Sequence, residues 1–262
     1  MNKIIVTGAT GFLGSSIVRQ LQAAGHAVRT TGRAPVAELP DYRPMDLVGA
    51  TNFWNLVAGT RCVVHAAGLA HQFGRVEPVA FFETNVAASE ALVRAAVTAG
   101  VEHFVFISSS SVYDDRHAGP RTEDSPCFPR GAYAESKYEA EARLARVADE
   151  SEMRLTILRP ATLYGADDPG NVARLMRAID RRRFVWIGGG ENLKSLIHRN
   201  DVARAVVMAV VSKVRRASDS AFPFTTFPRR QFSCGTWSRP WPTRWARRCR
   251  ASEFRRTSFG YR

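Results

Sequence analysis

Apolar residues along this chain come in short unbroken runs, separated by longer stretches in which apolar and polar positions alternate with a helical period. Lys3-Ile4-Ile5-Val6, Cys62-Val63-Val64, Phe104-Val105-Phe106-Ile107 and Leu155-Thr156-Ile157-Leu158 are runs of the first kind. Continuous apolar runs of this length read as strands buried on both faces, the habit of a parallel sheet. The intervening stretches predict helices from Ser15 through Leu21, over 83–99, over 131–148, over 171–182 and over 201–208, with a looser one at 50–58. Residues 25–31 read as a second strand and Pro44–Leu47 as a short strand end. Phe184–Ile187 and Ser195–His198 read as two short strands about Gly188-Gly189-Gly190. Loops fall at 114–130, marked by Gly119-Pro120, Pro126 and Pro129, and at 163–170. Strands alternating with helices specify an α/β class with a doubly wound parallel sheet.

The first strand runs into Thr7-Gly8-Ala9-Thr10-Gly11-Phe12-Leu13-Gly14 and then into a helix. Glycines at such a turn let the backbone bend sharply and let a phosphate approach the helix N-terminus, where free N–H groups favour an anion. The spacing is G-x-x-G-x-x-G, one position off the strict dinucleotide fingerprint. Dinucleotide folds that take NAD place an acid at the end of the second strand; here stand Gly32 and Arg33. A guanidinium can pair with a 2′-phosphate, which favours NADP over NAD. The third run ends in Ala66-Ala67-Gly68, small residues over which a cofactor could pass, and His65 before them reads as a packed or loop histidine. The central strand breaks into Ser108-Ser109-Ser110-Ser111 at its carboxyl end, where open α/β sheets place ligands. Tyr133 and Lys137 follow in the next helix, four residues apart and so on one face. Asn85 stands near the start of its own helix, placed to cap it or to bond a neighbouring strand.

Composition changes this picture in one place only. The 262 residues are 45% hydrophobic, enough for a real core, and no run has the length of a membrane span. The N-terminus passes directly into a strand with no signal peptide, and the four cysteines lack metal or disulfide spacing. Both point to a reducing cytoplasm and to no metal site. The net charge of +13 suggests nucleic acid, but residues 213–262 hold thirteen of the 37 Lys and Arg and only two of the 24 acids. Eleven of the thirteen net charges therefore belong to that tail, and the body of the chain gives no reason to expect a specific nucleic-acid partner.

Over residues 1–211 the ordered motifs resemble the extended short-chain dehydrogenase/reductase family, in particular its nucleotide-sugar epimerases and dehydratases. The resemblance rests on Thr7–Gly14, His65–Gly68, Asn85-Val86, Ser108–Tyr113, Tyr133-x-x-x-Lys137, Arg159–Gly165 and His198-x-x-Asp201-Val202. It implies a Rossmann-like dinucleotide-binding domain over 1–160 and a substrate lobe that begins at 161. It implies an NAD(P) cofactor lying along Gly8, Thr10, Gly11, Phe12, Leu13, Gly14, Arg33, Asp46, Leu47, Ala66, Ala67, Gly68, Asn85, Tyr133, Lys137 and Pro160. Tyr133 would be the acid/base toward a sugar hydroxyl. A free phenol, with pKa about 10, is too weak a base at neutral pH, so Lys137 and the oxidised nicotinamide are expected to favour the phenolate. Ser109 would bond the reacting oxygen. Ser110, Thr162, Asn171 and Lys194 would face the sugar or its diphosphate. Hydride removal and return through a ketosugar would give 4-epimerisation; net delivery would give a 4-ketosugar reductase. Dehydratases of the family carry an acidic pair where this chain has Ser110-Ser111, which argues against dehydration. Members of the family often dimerise through the helices holding 83–99 and 131–148.

The family pattern breaks off near 213. Beyond it the chain is rich in Arg, Pro, Ser and Trp, holding three of the five Trp, and keeps neither helical nor strand period. That composition is expected of a GC-rich gene read out of frame. The substrate lobe would then be confined to 161–212, with 213–262 an aberrant tail. A dinucleotide-binding protein without turnover is the alternative that such a loss leaves open.

Overall fold

A computed structural model describes residues 3–33, 38–70, 77–113, 121–185, 194–212 and 230–232. Five strands form one parallel sheet: β1 (Lys3–Thr7), β2 (Val28–Thr31), β3 (Thr60–His65), β4 (His103–Ile107) and β5 (Arg154–Leu158), in the order β2-β1-β3-β4-β5. Every pairing is parallel, with Ile5 opposite Val63 and Val63 opposite Phe104. Side chains alternate across a strand, so this register sorts the apolar residues onto two faces. Ile4, Val6, Cys62, Val64 and Val105 pack with helices α1 (Gly14–Ala23) and α7 (Arg199–Val211). Ile5, Val63, Phe104 and Phe106 pack with α2 (Trp54–Val57), α4 (Ala88–Thr98) and α5 (Gly131–Asp149). Helices on both faces of a parallel sheet are the doubly wound arrangement expected from the pattern.

The remaining described elements are α3 (Pro78–Phe82), β6 (Thr162–Tyr164), α6 (Asn171–Asp180), β7 (Lys194–His198) and a short strand β8 (Arg230–Phe232). β6 pairs parallel with β7 through Thr162–Leu196, Leu163–Ile197 and Tyr164–His198. Two compact units are distinguished, Met1–Phe184 with Ser195–Arg230, and Val185–Lys194 with Gln231–Arg262; few residues of the second are described.

Three expectations need correction. Pro44–Leu47 forms no strand; a single bridge between Thr30 and Tyr42 stands where a third strand would pair. Pro44 has no N–H to give a ladder, which removes one of its few bonds. The loop expected at 163–170 begins with strand β6, held by β7. The helix expected over 83–99 starts earlier, at Pro78, and is interrupted by a π-helical turn, Glu83–Ala87, before α4. The Phe184–Ile187 strand and the 114–130 loop lie partly outside the described residues, as does the 213–262 tail apart from β8.

Candidate active site

The candidate side chains from the glycine turn and the ends of β3 and β4 gather at the carboxyl edge of the sheet. β1 ends in the glycine turn. Gly8 has φ +66°, and a Cβ there would stand 2.7 Å from the Ala67 nitrogen and 2.9 Å from the Ala66 carbonyl carbon. Gly14 opens α1 so close beneath the Gly8 carbonyl that a Cβ would overlap its oxygen and lie 2.8 Å from its carbon. Gly11 donates its N–H to the Gly8 carbonyl at 2.9 Å. Leu13 at the N-cap of α1 offers no side-chain cap. Phe12 lies under the Arg199 guanidinium, 4.8 Å from ring centre to Cζ, and Ser16 donates to Asn200 Oδ1 at 2.7 Å. α7 thereby holds the turn from outside.

These features fit a dinucleotide. The two close-packed glycines bring three backbone segments together, and the N-terminus of α1 has no side chain spent on it, the arrangement that receives a phosphate. Thr31, buried at the end of β2, has a hydroxyl with no hydrogen-bond partner among the described residues. Thr10 comes close to Gly32 across this cleft. Arg33 and Asp46 are exposed and Leu47 is half-buried; Asp46 Oδ1 accepts from the Val48 N–H at 3.1 Å.

The end of β3 supplies Ala66, Ala67 and Gly68. A Cβ on Gly68 would lie 3.0 Å from Asn85 Oδ1 and 3.2 Å from Lys137 Nζ, so the three positions adjoin. Asn85 sits in the π turn, a local widening frequently found at functional sites. Its Oδ1 accepts from the Leu69 N–H at 2.8 Å, and its Nδ2 donates to the Leu69 carbonyl and to Ser136 Oγ, both at 3.0 Å.

The end of β4 supplies Ser109. Its Oγ accepts from the Ser111 N–H at 3.2 Å and from the Ser111 hydroxyl at 2.9 Å. It is also hydrogen-bonded to the Tyr133 phenol, whose ring meets Phe81 edge-on at 6.2 Å. One helical turn on, Lys137 is buried; its Nζ donates to the Ile107 carbonyl at 2.9 Å and lies 4.7 Å from the Phe106 ring centre. Ser109, Tyr133 and Lys137 therefore converge as their order in the chain suggests. Burial pushes the Tyr133 phenol above its ordinary range, with the Ser109 hydrogen bond working the other way. Burial likewise lowers the Lys137 ammonium to about 8, opposed by the Glu141 carboxylate.

Ser110 is half-buried, and its N–H bonds the carbonyl of buried Pro160 at 2.9 Å. Thr162 opens β6 and is half-buried; Lys194 opens β7 and is exposed. Asn171 is the exposed first residue of α6, but Asp168 already serves that helix end: its carboxylate accepts from the Gly170 N–H at 2.7 Å and the Ala173 N–H at 3.1 Å.

Sequence reasoning missed the support beneath the site. Glu141, buried, accepts from Ser108 Oγ and from Arg159 at Nε (3.0 Å) and Nη2 (2.6 Å). Arg159 Nη1 donates to the Tyr113 hydroxyl at 2.9 Å. Its partner Glu141 lies one further turn along the Tyr133–Lys137 face, a spacing visible in the sequence.

Two buried histidines stay neutral. Burial, aided by the Lys137 charge, lowers His65 to about 3; burial, aided by Arg154, lowers His103 to about 3. Between about 6.5 and those values the unfolded chain binds protons that the folded chain refuses, so stability falls as pH falls. At pH 5 the expected loss relative to pH 7 is about 2 kcal/mol for each histidine. Urea unfolding at the two pH values checks this; equal midpoints would show that neither histidine is held neutral.

The NAD dependent epimerase/dehydratase family model matches residues 4–221, and the chain belongs to that family. It is 31% identical over 217 residues to a UDP-glucose 4-epimerase of Vibrio cholerae, an alignment covering 79% of this chain and 66% of that protein. It is 28% identical over 216 residues to a 4-hydroxy-2-methyl-3-oxo-4-farnesyl-3,4-dihydroquinoline-1-oxide ketoreductase of Stigmatella aurantiaca, covering 79% of this chain and 64% of the relative. The chain thus spans slightly less than two thirds of these curated relatives. Among solved structures, MoeE5 in complex with UDP-glucose and NAD is 31% identical, with TM-score 0.71, covering 86% of this chain and 74% of that one. No helix among the described residues is long and apolar enough to cross a membrane.

Proposed function

We propose that this chain carries the active site of an NAD(P)-dependent nucleotide-sugar 4-epimerase. The observation that carries the reading is the convergence of Ser109, Tyr133 and Lys137 beside the Gly68–Asn85 edge of a glycine-lined dinucleotide cleft. When bound, a nicotinamide dinucleotide supplies a hydride acceptor and donor. Gly8, Gly11 and Gly14 would admit its diphosphate to α1, and Lys137 would hold the nicotinamide ribose with the donors not given to Ile107. Tyr133 as phenolate would take the proton from the sugar 4-hydroxyl and as phenol give it back, while Ser109 orients that oxygen. Arg33 at the end of β2 is the residue that would favour NADP.

The experiment has two parts. Calorimetric titration with NAD and NADP should give binding to the purified chain. Tyr133→Phe should then abolish 4-epimerisation of UDP-sugars, a loss of about 10²-fold or more, with cofactor affinity nearly unchanged. Activity surviving in Tyr133→Phe would remove the phenol from the mechanism.

A second reading, binding without turnover, is favoured by one observation. α6 is amphipathic, yet none of its residues is buried, and Leu175, Met176 and Ile179 are exposed. A substrate lobe ending near 212 would leave such a face uncovered. We infer on the same ground that 213–262 is out of frame; the family match stopping at 221 supports this. A single intact frame giving an intact mass that ends at Arg262 would end that inference. Cofactor binding with no epimerase or reductase turnover favours this second reading.

A further inference from the structure

We infer that His65, held as the neutral Nε2–H tautomer, is a positioning residue that fixes the Ala66–Leu69 turn of the cofactor cleft against the helix of Tyr133. The proton directions follow from the partners. Ser89 Oγ donates to the Asn85 carbonyl at 2.7 Å, which spends its only proton, so toward His65 Nε2 at 2.8 Å it accepts. His65 Nε2 therefore carries the hydrogen, and Nδ1 is an acceptor. Thr7 Oγ1, 2.6 Å from Nδ1, gives its proton there, and its lone pair accepts from the Ala67 N–H at 3.2 Å.

The chain of bonds closes on itself. From Ala67 it runs through Thr7, His65 and Ser89 to Asn85, whose side chain returns to both backbone groups of Leu69. The turn is thus gripped at Ala67 from β1 and at Leu69 from the π turn, and His65 joins the two grips. Asn85 Nδ2 extends the circuit to Ser136 Oγ, which donates to the Tyr133 carbonyl at 2.9 Å. His65 is fully enclosed, stacked on Phe106 at 5.8 Å and tilted against Phe104 at 5.9 Å. Burial, and after it the charge of Lys137, whose Nζ lies 4.7 Å from the Phe106 ring centre, opposes a second proton on the ring. Packing alone would be met by an aromatic hydrocarbon; a donor on one edge and an acceptor on the other are met by one histidine tautomer.

The test needs no cofactor. In the ¹⁵N-histidine-labelled chain, the signal lost in His65→Gln should have a pyridine-type Nδ1 and a pyrrole-type Nε2 that do not change between pH 5 and 8. In His65→Phe, amide exchange at Ala67 and Leu69 should quicken by about tenfold or more, while Val105 in β4 keeps its rate. A reversed tautomer, an imidazolium, or exchange that is unchanged or raised equally at Val105 overturns the inference. If His65→Phe does not fold, Ser89→Ala breaks one link only and must give the same local effect at Leu69. The cofactor consequence rests on the function proposed above: dinucleotide affinity should fall in parallel with the faster exchange. A parent chain that binds no dinucleotide would defeat that function, while the tautomer and exchange results would still decide the role of His65.

Discussion

Replacing Glu141 by alanine should cost about 3–5 kcal/mol of stability, because it leaves the Arg159 guanidinium charged and without its partner in a largely buried place. The carboxylate accepts from Nε and Nη2 along one edge of the Arg159 guanidinium and from Ser108, and Arg159 is further fixed by the Tyr113 hydroxyl and by its stack 4.9 Å from the Tyr113 ring centre. Three elements meet in this cluster: the end of β4, the middle of α5 and the end of β5. The desolvation of two charges offsets much of their attraction, so the pair need not stabilise the fold relative to apolar residues. Hence the double replacement Glu141→Leu with Arg159→Met should recover most of what Glu141→Ala loses. Urea unfolding of the single and double variants decides the matter; a single-variant loss below about 1 kcal/mol would mean that solvent reaches Arg159 freely. The geometric consequence concerns Ser109. Ser108 is bonded to Glu141, which stands one turn beyond Lys137, so one carboxylate keeps the serine and the lysine on adjoining elements in register.

How much of this was legible can be judged from particular residues. Strands β1, β3 and β4 announced themselves because both faces are buried, so their central residues form unbroken apolar runs and no period competes. The weak strand at Pro44–Leu47 failed because its pairing depends on backbone donors that hydropathy does not record. The start at Pro78 and the π turn within the following helix were invisible for a related reason. One extra residue per turn leaves the apolar count unchanged yet turns Asn85 toward Leu69 and Ser136. Tyr133 and Lys137 could be read from their spacing on one helix face. Thr7, Ser89 and Ser136 could not, since a hydroxyl in the sequence does not say which neighbour it will meet. His65 was read as a packed or loop histidine; it is packed, but packing is half of its environment, and the other half lies in two hydroxyls 58 and 24 residues away. Glu141 and Arg159 are 18 residues apart on different elements, and only the tertiary fold makes them a pair.

The glycine turn gives the other large effect, and it separates folding from binding. Gly14→Ala should be the worst of the three replacements, at about 3 kcal/mol or more, because the new Cβ meets the Gly8 carbonyl, which is backbone and cannot swing aside. Gly8→Ala should follow at about 2–3 kcal/mol, combining a positive φ with contacts under 3.0 Å to Ala66 and Ala67 backbone. Gly11→Ala differs in kind. Gly11 is exposed, and its Cβ would meet only the Gly8 oxygen, at 3.1 Å, so the fold should lose about 1 kcal/mol or less. If packing does not demand glycine at Gly11, the remaining demand is the close approach of a ligand to the backbone. Thermal unfolding of the three variants, followed by NAD titration of Gly11→Ala, tests both halves. A well-folded Gly11→Ala whose affinity drops by about tenfold places the diphosphate over this turn, since that loss is about 1.4 kcal/mol of contact removed from the ligand alone. Unchanged affinity in that variant would move the diphosphate off Gly11 and leave the G-x-x-G-x-x-G spacing explained by Gly8 and Gly14, as a device for packing β1, α1 and the Ala66–Ala67 segment.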